Sequence, residues 1–421
     1  MRRLITTSLL TCLLLFASLE GMSYLALYVL STFGISYAPL SASLSDEQRT
    51  RLRLRLDEYR TAGTFGSHHP TLGWTVPKAN TTQDFTSNSQ GIRGKREYTL
   101  EPAPDILRIS AFGDSFTFGS EVLDRDTWEE QLGRSDPRLE VLNFAVPAYG
   151  LDQAYLRYHT EGARFGSDIV VIGFMSENIR RNVNVFRPFY HRLYWSHLFT
   201  KPRFVVREAE LVLLPNPLST VSSYERLLTH DREVLAEIGH DDYFYRTHYH
   251  PSPFDWLRSV RLARMAWHAA STRWDGIFRA DGMYNVHSEA FALTVKIFDA
   301  FYREALTHQS LPVILIYPDL GDLDRYHRQA PRRYEPLLDV FKAKGYRHID
   351  VLDAFIQYDR RVKTEDLTVG TWGHLSPLGN KIVADALLKS LQEERRFTRP
   401  QIREQARREL TRIQQVMQAR S

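Results

Sequence analysis

The sequence predicts an α/β protein. The expected architecture is a three-layer α/β/α sandwich on a five-stranded parallel flavodoxin-like sheet, with an N-terminal transmembrane helix and a large insertion between strands three and four. Three observations predict it. Five short apolar runs alternate with helical patterns, as in a parallel sheet covered on both faces. An apolar stretch fills most of the first 33 residues. Roughly a hundred aromatic-rich residues separate the third run from the fourth, too many for a connection without structure of its own. Composition agrees: of 421 residues, 43% are hydrophobic and 25% charged. That excludes a disordered chain, a collagen-like repeat and a multi-span transporter.

In chain order, Arg2 and Arg3 precede an apolar stretch from Leu4 to about Phe33. About 20 apolar residues cross a bilayer core. With no further Lys or Arg until Arg49, the positive end stays inside and the rest of the chain faces the periplasm or cell exterior, giving a single-pass inner-membrane protein. A cleaved signal peptide is the competing reading, but the run is longer than a signal core and shows no small-x-small site. Glu20, costly in lipid, reads as a protonated or snorkelling carboxylate, with pairing to a partner membrane protein as the functional alternative. The single cysteine, Cys12, rules out an intrachain disulfide.

Residues 45–60 read as a polar helix, capped by Ser45 with Gln48 three residues on, as in a capping box. Residues 61–104 are rich in turn formers and read as loop. The five buried strands are Ile106–Phe112, Val141–Phe144, Ile169–Phe174, Leu311–Tyr317 and His348–Leu352. Helical patterns occupy 126–134, 151–164, 285–308, 333–344 and 379–393. The expected organisation is an anchor (1–33), a juxtamembrane helix and lead-in (34–104), the main domain (105–183 and 291–392), the insertion (184–290) and a basic helical tail (393–421).

The insertion holds Phe186, Phe189, Tyr190, Tyr194, Trp195, Tyr243, Phe244, Tyr245, Tyr249, Trp256, Trp267 and Trp274. Such rings mostly form a local core, although they also suit stacking on sugar. Histidines 248 and 250 are too few to make a metal site without further partners, and no metal or other cofactor is expected. In the tail, Ile402, Ala406, Leu410, Ile413 and Met417 share one helical face. It reads as a solvated helical extension, with binding to anionic headgroups or a partner helix as alternatives. Its eight Arg and four Glu account for the whole-chain net charge of +4. The remainder is formally neutral and gives no ground for nucleic-acid binding.

Four segments carry chemistry. Gly113-Asp114-Ser115-Phe116 follows the first strand. A serine at a strand-to-helix turn is exposed at the carboxyl edge of the sheet, where ligands sit. A helix behind it aims free N–H groups and positive dipole at its oxygen. After strand two, small residues Ala145, Ala148 and Gly150 let backbone approach a substrate. After strand three comes Ser176-Glu177-Asn178, where a side-chain amide can donate to an oxyanion or simply cap the next helix. His374-Leu375-Ser376-Pro377-Leu378-Gly379 follows strand five, and a histidine is the natural base for a serine hydroxyl.

Together these blocks resemble the SGNH/GDSL hydrolase superfamily, with Phe112-Gly113-Asp114-Ser115-Phe116-Thr117-Phe118-Gly119 a strong match to its first block. The leader residues His69–Trp74 and Asn88–Gly94 look like membrane-anchored bacterial members. The resemblance covers roughly 69–183 and 311–392. It implies Ser115 as nucleophile and His374 as base, with an oxyanion hole of the Ser115 and Ala148 N–H groups and the Asn178 amide, supported by Gly113, Asp114 and Gly150. Ala148 stands where the family has glycine, and Glu177-Asn178 where it has Asn-Asp. The family aspartate three residues before the histidine is replaced by Thr371. Asp366 is the expected substitute, with Glu365 or a backbone carbonyl as alternatives. The implied activity is a membrane-anchored serine esterase working through an acyl-enzyme, on an O-acylated, chiefly O-acetylated, envelope or exported polysaccharide or another ester. The alternatives are a polysaccharide O-acetyltransferase with a membrane partner, or a lapsed glycan-binding or assembly protein.

Overall fold

The computed structural model describes residues 2–32, 43–190, 198–248, 252–271, 276–359, 363–393 and 398–418. The chain divides into two compact units. The first comprises Met1–Phe65, Asn184–Leu198 and Thr220–Gly276; the second comprises Gly66–Val183, Phe199–Ser219 and Ile277–Ser421. The segment expected as one insertion is thus shared: its residues 199–219 and 277–290 belong to the second unit.

The second unit is built on five strands: β1 (Leu107–Phe112), β2 (Leu139–Asn143), β3 (Ile169–Met175), β4 (Leu311–Tyr317) and β5 (His348–Asp350). All pairings are parallel, in the order β5-β4-β3-β1-β2. The three central strands β1, β3 and β4 are buried along their whole length, which is why they read as continuous apolar runs and not as alternating ones. On one face Ile109, Val171, Val313 and Leu315 pack with Trp128, Leu132, Phe355, Val383 and Leu387. On the other, Phe174 meets Phe298 of the helix Glu289–Thr307 at 5.5 Å between ring centres, and Phe112 meets Tyr158 at 5.3 Å. Helices on both faces make the three layers. Residues 151–164 do not continue as one α-helix: Leu151–Arg157 passes into a π turn at Tyr158–Gly162 and a 3₁₀ turn.

The tail corrects its reading as a solvated extension. Its helix, Arg399–Gln418, packs on Glu289–Thr307 and on β4, with Ile402 and Ala406 buried. Arg399 and Arg403 both reach Asp168, a buried carboxylate just before β3 (3.0 and 3.1 Å). Arg347 pairs with Glu409 at 3.1 Å. The apolar stripe therefore finds its partner within its own unit. Met417 has no described side chain.

In the first unit the capping box forms as expected. The Ser45 hydroxyl accepts from the Gln48 N–H and the Gln48 side chain from the Ser45 N–H, heading a helix over Asp46–Ala62. The carboxylate of buried Asp242 gathers the backbone of two segments, accepting from the N–H groups of Val185, Phe244 (2.8 Å) and Tyr245 (3.0 Å) and from the Asn184 amide (2.7 Å). Around it Phe186–Phe189, Phe189–Tyr245 and Tyr190–Phe244 lie 5.3, 4.9 and 4.6 Å apart. These rings are local core. Tyr194, Trp195, Tyr249 and Trp274 lie outside the described residues. The N-terminal helix runs over Arg2–Thr32, and its 27 residues Thr6–Thr32 are long and apolar enough to cross a membrane.

Candidate active site

The carboxyl edge of the sheet gathers the predicted residues. β1 ends at Phe112, and Gly113 follows in a space that admits no side chain: an added Cβ would lie 2.2 Å from Thr117 Oγ1. Asp114 then caps the next turn, its Oδ1 accepting from the Phe116 N–H at 2.9 Å. Ser115 begins that turn and is 9% exposed. The helix is shorter than expected, only Ser115–Phe118, and closes at left-handed Gly119. One turn contributes little dipole, so only its local N–H groups remain to act on the serine oxygen.

After β2 comes Ala148, whose φ is +67°. Glycine adopts this left-handed conformation freely, whereas alanine is strained by about 1–2 kcal/mol. An Ala148→Gly variant is expected to keep activity, because the N–H is retained. It should gain about 0.5 kcal/mol by denaturant melting, the relief of strain exceeding the greater chain entropy of glycine when unfolded. Gly150 is also tightly held, since a Cβ there would meet Asp152 Oδ1 at 2.4 Å.

After β3, Asn178 starts the helix Asn178–Arg181. It does not cap that helix, for the cap position is Glu177. Its side chain is 1% exposed, and its Oδ1 has no hydrogen-bond partner among the described residues. A buried polar atom left unpaired costs about 1–3 kcal/mol; Oδ1 can only accept, so a donor role toward an oxyanion falls to Nδ2.

Sequence reasoning missed the residue that joins these blocks. The Arg181 guanidinium pairs with Asp114 (3.2 Å) and Glu177 (2.5 Å) and donates to the Tyr149 carbonyl (2.9 Å). One buried cation thus ties the loops after β1, β2 and β3 together. A lone arginine within Ile179-Arg180-Arg181 carries no signal of this.

His374 is presented by a small hairpin of β6 (Thr368–Val369) and β7 (His374–Leu375). The helix of Ser115 packs against β7, and the Phe116 ring stands edge-on to the imidazole at 5.2 Å. The expectation for Asp366 needs correction. Its side chain is exposed, and its contribution is a backbone carbonyl that accepts from the Ser376 hydroxyl at 2.6 Å. Thr371 lies exposed at the hairpin tip. The carboxylate on His374 is Glu121, whose Oε2 lies 2.9 Å from Nδ1. A carboxylate only accepts, so Nδ1 carries the proton and Nε2 is left as the basic nitrogen.

Glu121 sits in a strained turn with its side chain partly exposed. Its φ is +68°, uncommon for a residue with a side chain. Gly370, with φ +67°, leaves room for the Glu121 carboxylate; an added Cβ would come within 1.9 Å of it and push it aside. The loop itself is pinned by buried Arg93, from the leader segment. Its guanidinium donates to the carbonyls of Phe118, Gly119 (2.6 Å) and Val122 (2.7 Å) and pairs with Asp124 (2.9 Å). This gives the Asn88–Gly94 leader a physical purpose.

Beside Asn178, Ser176 donates to Asp319 Oδ2 at 3.1 Å, and Asp319 also holds Arg333 at 3.0 Å. Burial, reinforced by the Asp319 charge, pushes the neighbouring Asp322 carboxyl up from 3.8 to about 7. The folded state then binds this proton more tightly than the unfolded chain, so the stabilisation is complete below about pH 4 and is lost as pH rises through about 7. Thermal melts should show this slope in the wild type and a flatter profile in Asp322→Asn.

No protein-family model matches the chain, and no curated protein matches it significantly. Solved structures do. A lipolytic protein of the G-D-S-L family from Desulfitobacterium hafniense is 12% identical, over 67% of this chain and 98% of that one, with a TM-score of 0.33. The acetyl xylan esterase AlAXEase is 11% identical over 68% of this chain and all of its own, with a TM-score of 0.32. A catalytic mutant of Axe2, an acetylxylan esterase from Geobacillus stearothermophilus, is 12% identical over 68% and 94%, with a TM-score of 0.31. At these identities and TM-scores, the function of the chain has to be argued from its own residues.

Proposed function

We propose that the protein is a serine ester hydrolase in which Ser115, His374 and Glu121 form the catalytic triad. The pairing of His374 Nδ1 with Glu121 at 2.9 Å carries this reading, because it supplies the acid that the sequence lacks before the histidine. Ser115 Oγ attacks the ester carbonyl while His374 Nε2 takes its proton. The tetrahedral oxyanion is held by the N–H groups of Ser115 and Ala148 and by the Asn178 amide. The same proton passes to the departing alkoxide, leaving an acyl-serine that water hydrolyses.

The N-terminal helix is read as an uncleaved anchor, which places the site outside the cytoplasmic membrane and within reach of envelope or exported polysaccharide. The substrate class that follows is an O-acyl, chiefly O-acetyl, ester of such a polymer. A fluorophosphonate probe is expected to label the wild type at Ser115 and leave Ser115→Ala unlabelled. Absence of labelling in well-folded protein, with no turnover of aryl acetates, would overturn the enzyme reading.

A further inference from the structure

Glu20, the charged residue of the apolar helix, has its partner within its own unit. Its carboxylate accepts from the backbone N–H groups of Arg258 (2.6 Å) and Ser259 (3.1 Å) and from the Ser259 hydroxyl. Those are the first N–H groups of the helix Arg258–Ser271, which have no intrahelical acceptor. A carboxylate there does the work of a side-chain cap and complements the positive end of the helix. Neither the snorkelling reading nor the partner-protein reading of Glu20 is needed. The two helices touch, and Ser23 is buried in the contact face.

The outward side of Arg258–Ser271 is the reverse of a water-facing surface. Among its described side chains the exposed ones, Ala263, Ala266, Trp267 and Ala270, fall at i, i+3, i+4 and i+7, on one face, and all four are apolar. Trp267 is 76% exposed, and Trp256, just before the helix, is 68% exposed. The arginines turn elsewhere: Arg264 pairs with Asp255 at 2.6 Å, and Arg261 donates to the Asp255 carbonyl. A helix bordering water shows its polar face outward; this one shows alanine and tryptophan and keeps its ion pair to the side. At 14 residues it is about 21 Å long, too short to cross a bilayer core of about 30 Å. Tryptophans at its edge suit the interface.

We propose that residues 252–271 form a second membrane element, a helix seated within the bilayer against the anchor, with its Ala263–Ala270 face in lipid and Glu20 as its N-terminal cap. The proposal rests on the reading of Arg2–Thr32 as membrane-spanning, and the test separates the two. The full chain, carrying a nitroxide on its single Cys12, is reconstituted in phosphatidylethanolamine–phosphatidylglycerol vesicles. The same is done for Ala263→Cys, Ala270→Cys and the exposed control Arg232→Cys, each with Cys12→Ser. Oxygen, which concentrates in lipid, is expected to relax the probes at 12, 263 and 270 more strongly than a water-soluble nickel chelate, with the order reversed at 232. A lipid signature at 12 with a water signature at 263 and 270 overturns the inference and leaves the anchor standing. A water signature at 12 overturns both. Probes at 263 and 270 shielded from both colliders would put a protein on this face and overturn the lipid assignment.

Discussion

Replacement of Ser115 by alanine is expected to lower kcat on aryl acetates by about a millionfold, to the level left by binding and the oxyanion hole alone. The side chain is small and lies at the start of a one-turn helix whose cap is Asp114, so folding should be unaffected and the melting curve unchanged. The loss follows from removing the only atom that can form the acyl bond. Histidine and carboxylate then have no proton to move and no nucleophile to activate. Loss of fluorophosphonate labelling in parallel with turnover ties both to the same oxygen. A Ser115→Ala protein that retained turnover would remove the nucleophile from the proposed mechanism.

Replacement of Glu121 by glutamine is expected to lower kcat about a hundredfold and leave KM nearly unchanged. A fully buried triad aspartate costs about ten-thousandfold when amidated, because the imidazole takes the wrong tautomer and its cationic form loses a countercharge. The Glu121 side chain is 39% exposed, so water supplies part of both effects and the loss is smaller. Glu121→Asp shortens the reach to Nδ1 and should fall between the two. Asp366→Asn should leave kcat/KM unchanged, since only its backbone carbonyl is used. Steady-state kinetics on the three variants decide between the acids. Equal losses from Glu121→Gln and Asp366→Asn, or no loss from Glu121→Gln, would rule out Glu121 as the residue that orients His374.

Much of the architecture is legible in the sequence for a simple reason. Strands buried on both faces must be apolar at every position, so β1, β3 and β4 announce themselves as runs such as Ile169–Phe174 and Leu311–Tyr317. Capping is local, so Ser45 and Gln48 predict their helix start from a spacing of three. The first three chemical blocks directly follow strands β1, β2 and β3 and are readable for the same reason. Glu121 was not. It sits 253 residues from His374 in a loop whose hydrogen bonds come from Arg93 and whose carboxylate packs over Gly370. Its signal, a carboxylate six residues after the nucleophile in a Gly-Ser-Glu turn, has no meaning until the hairpin is placed beside it. The Arg181 linkage and the docking of Ile402 and Ala406 are of the same kind.

The sequence by itself determined the parallel α/β sandwich, the order of its elements and the apolar N-terminal helix, because burial and backbone geometry impose periodicities that a linear chain displays. Only the tertiary structure decided which carboxylate faces the histidine, which cation joins the loops and where Glu20 finds its hydrogen bonds. Those are pairings between distant residues. An ion pair requires two side chains at one point in space and leaves no periodicity along either segment.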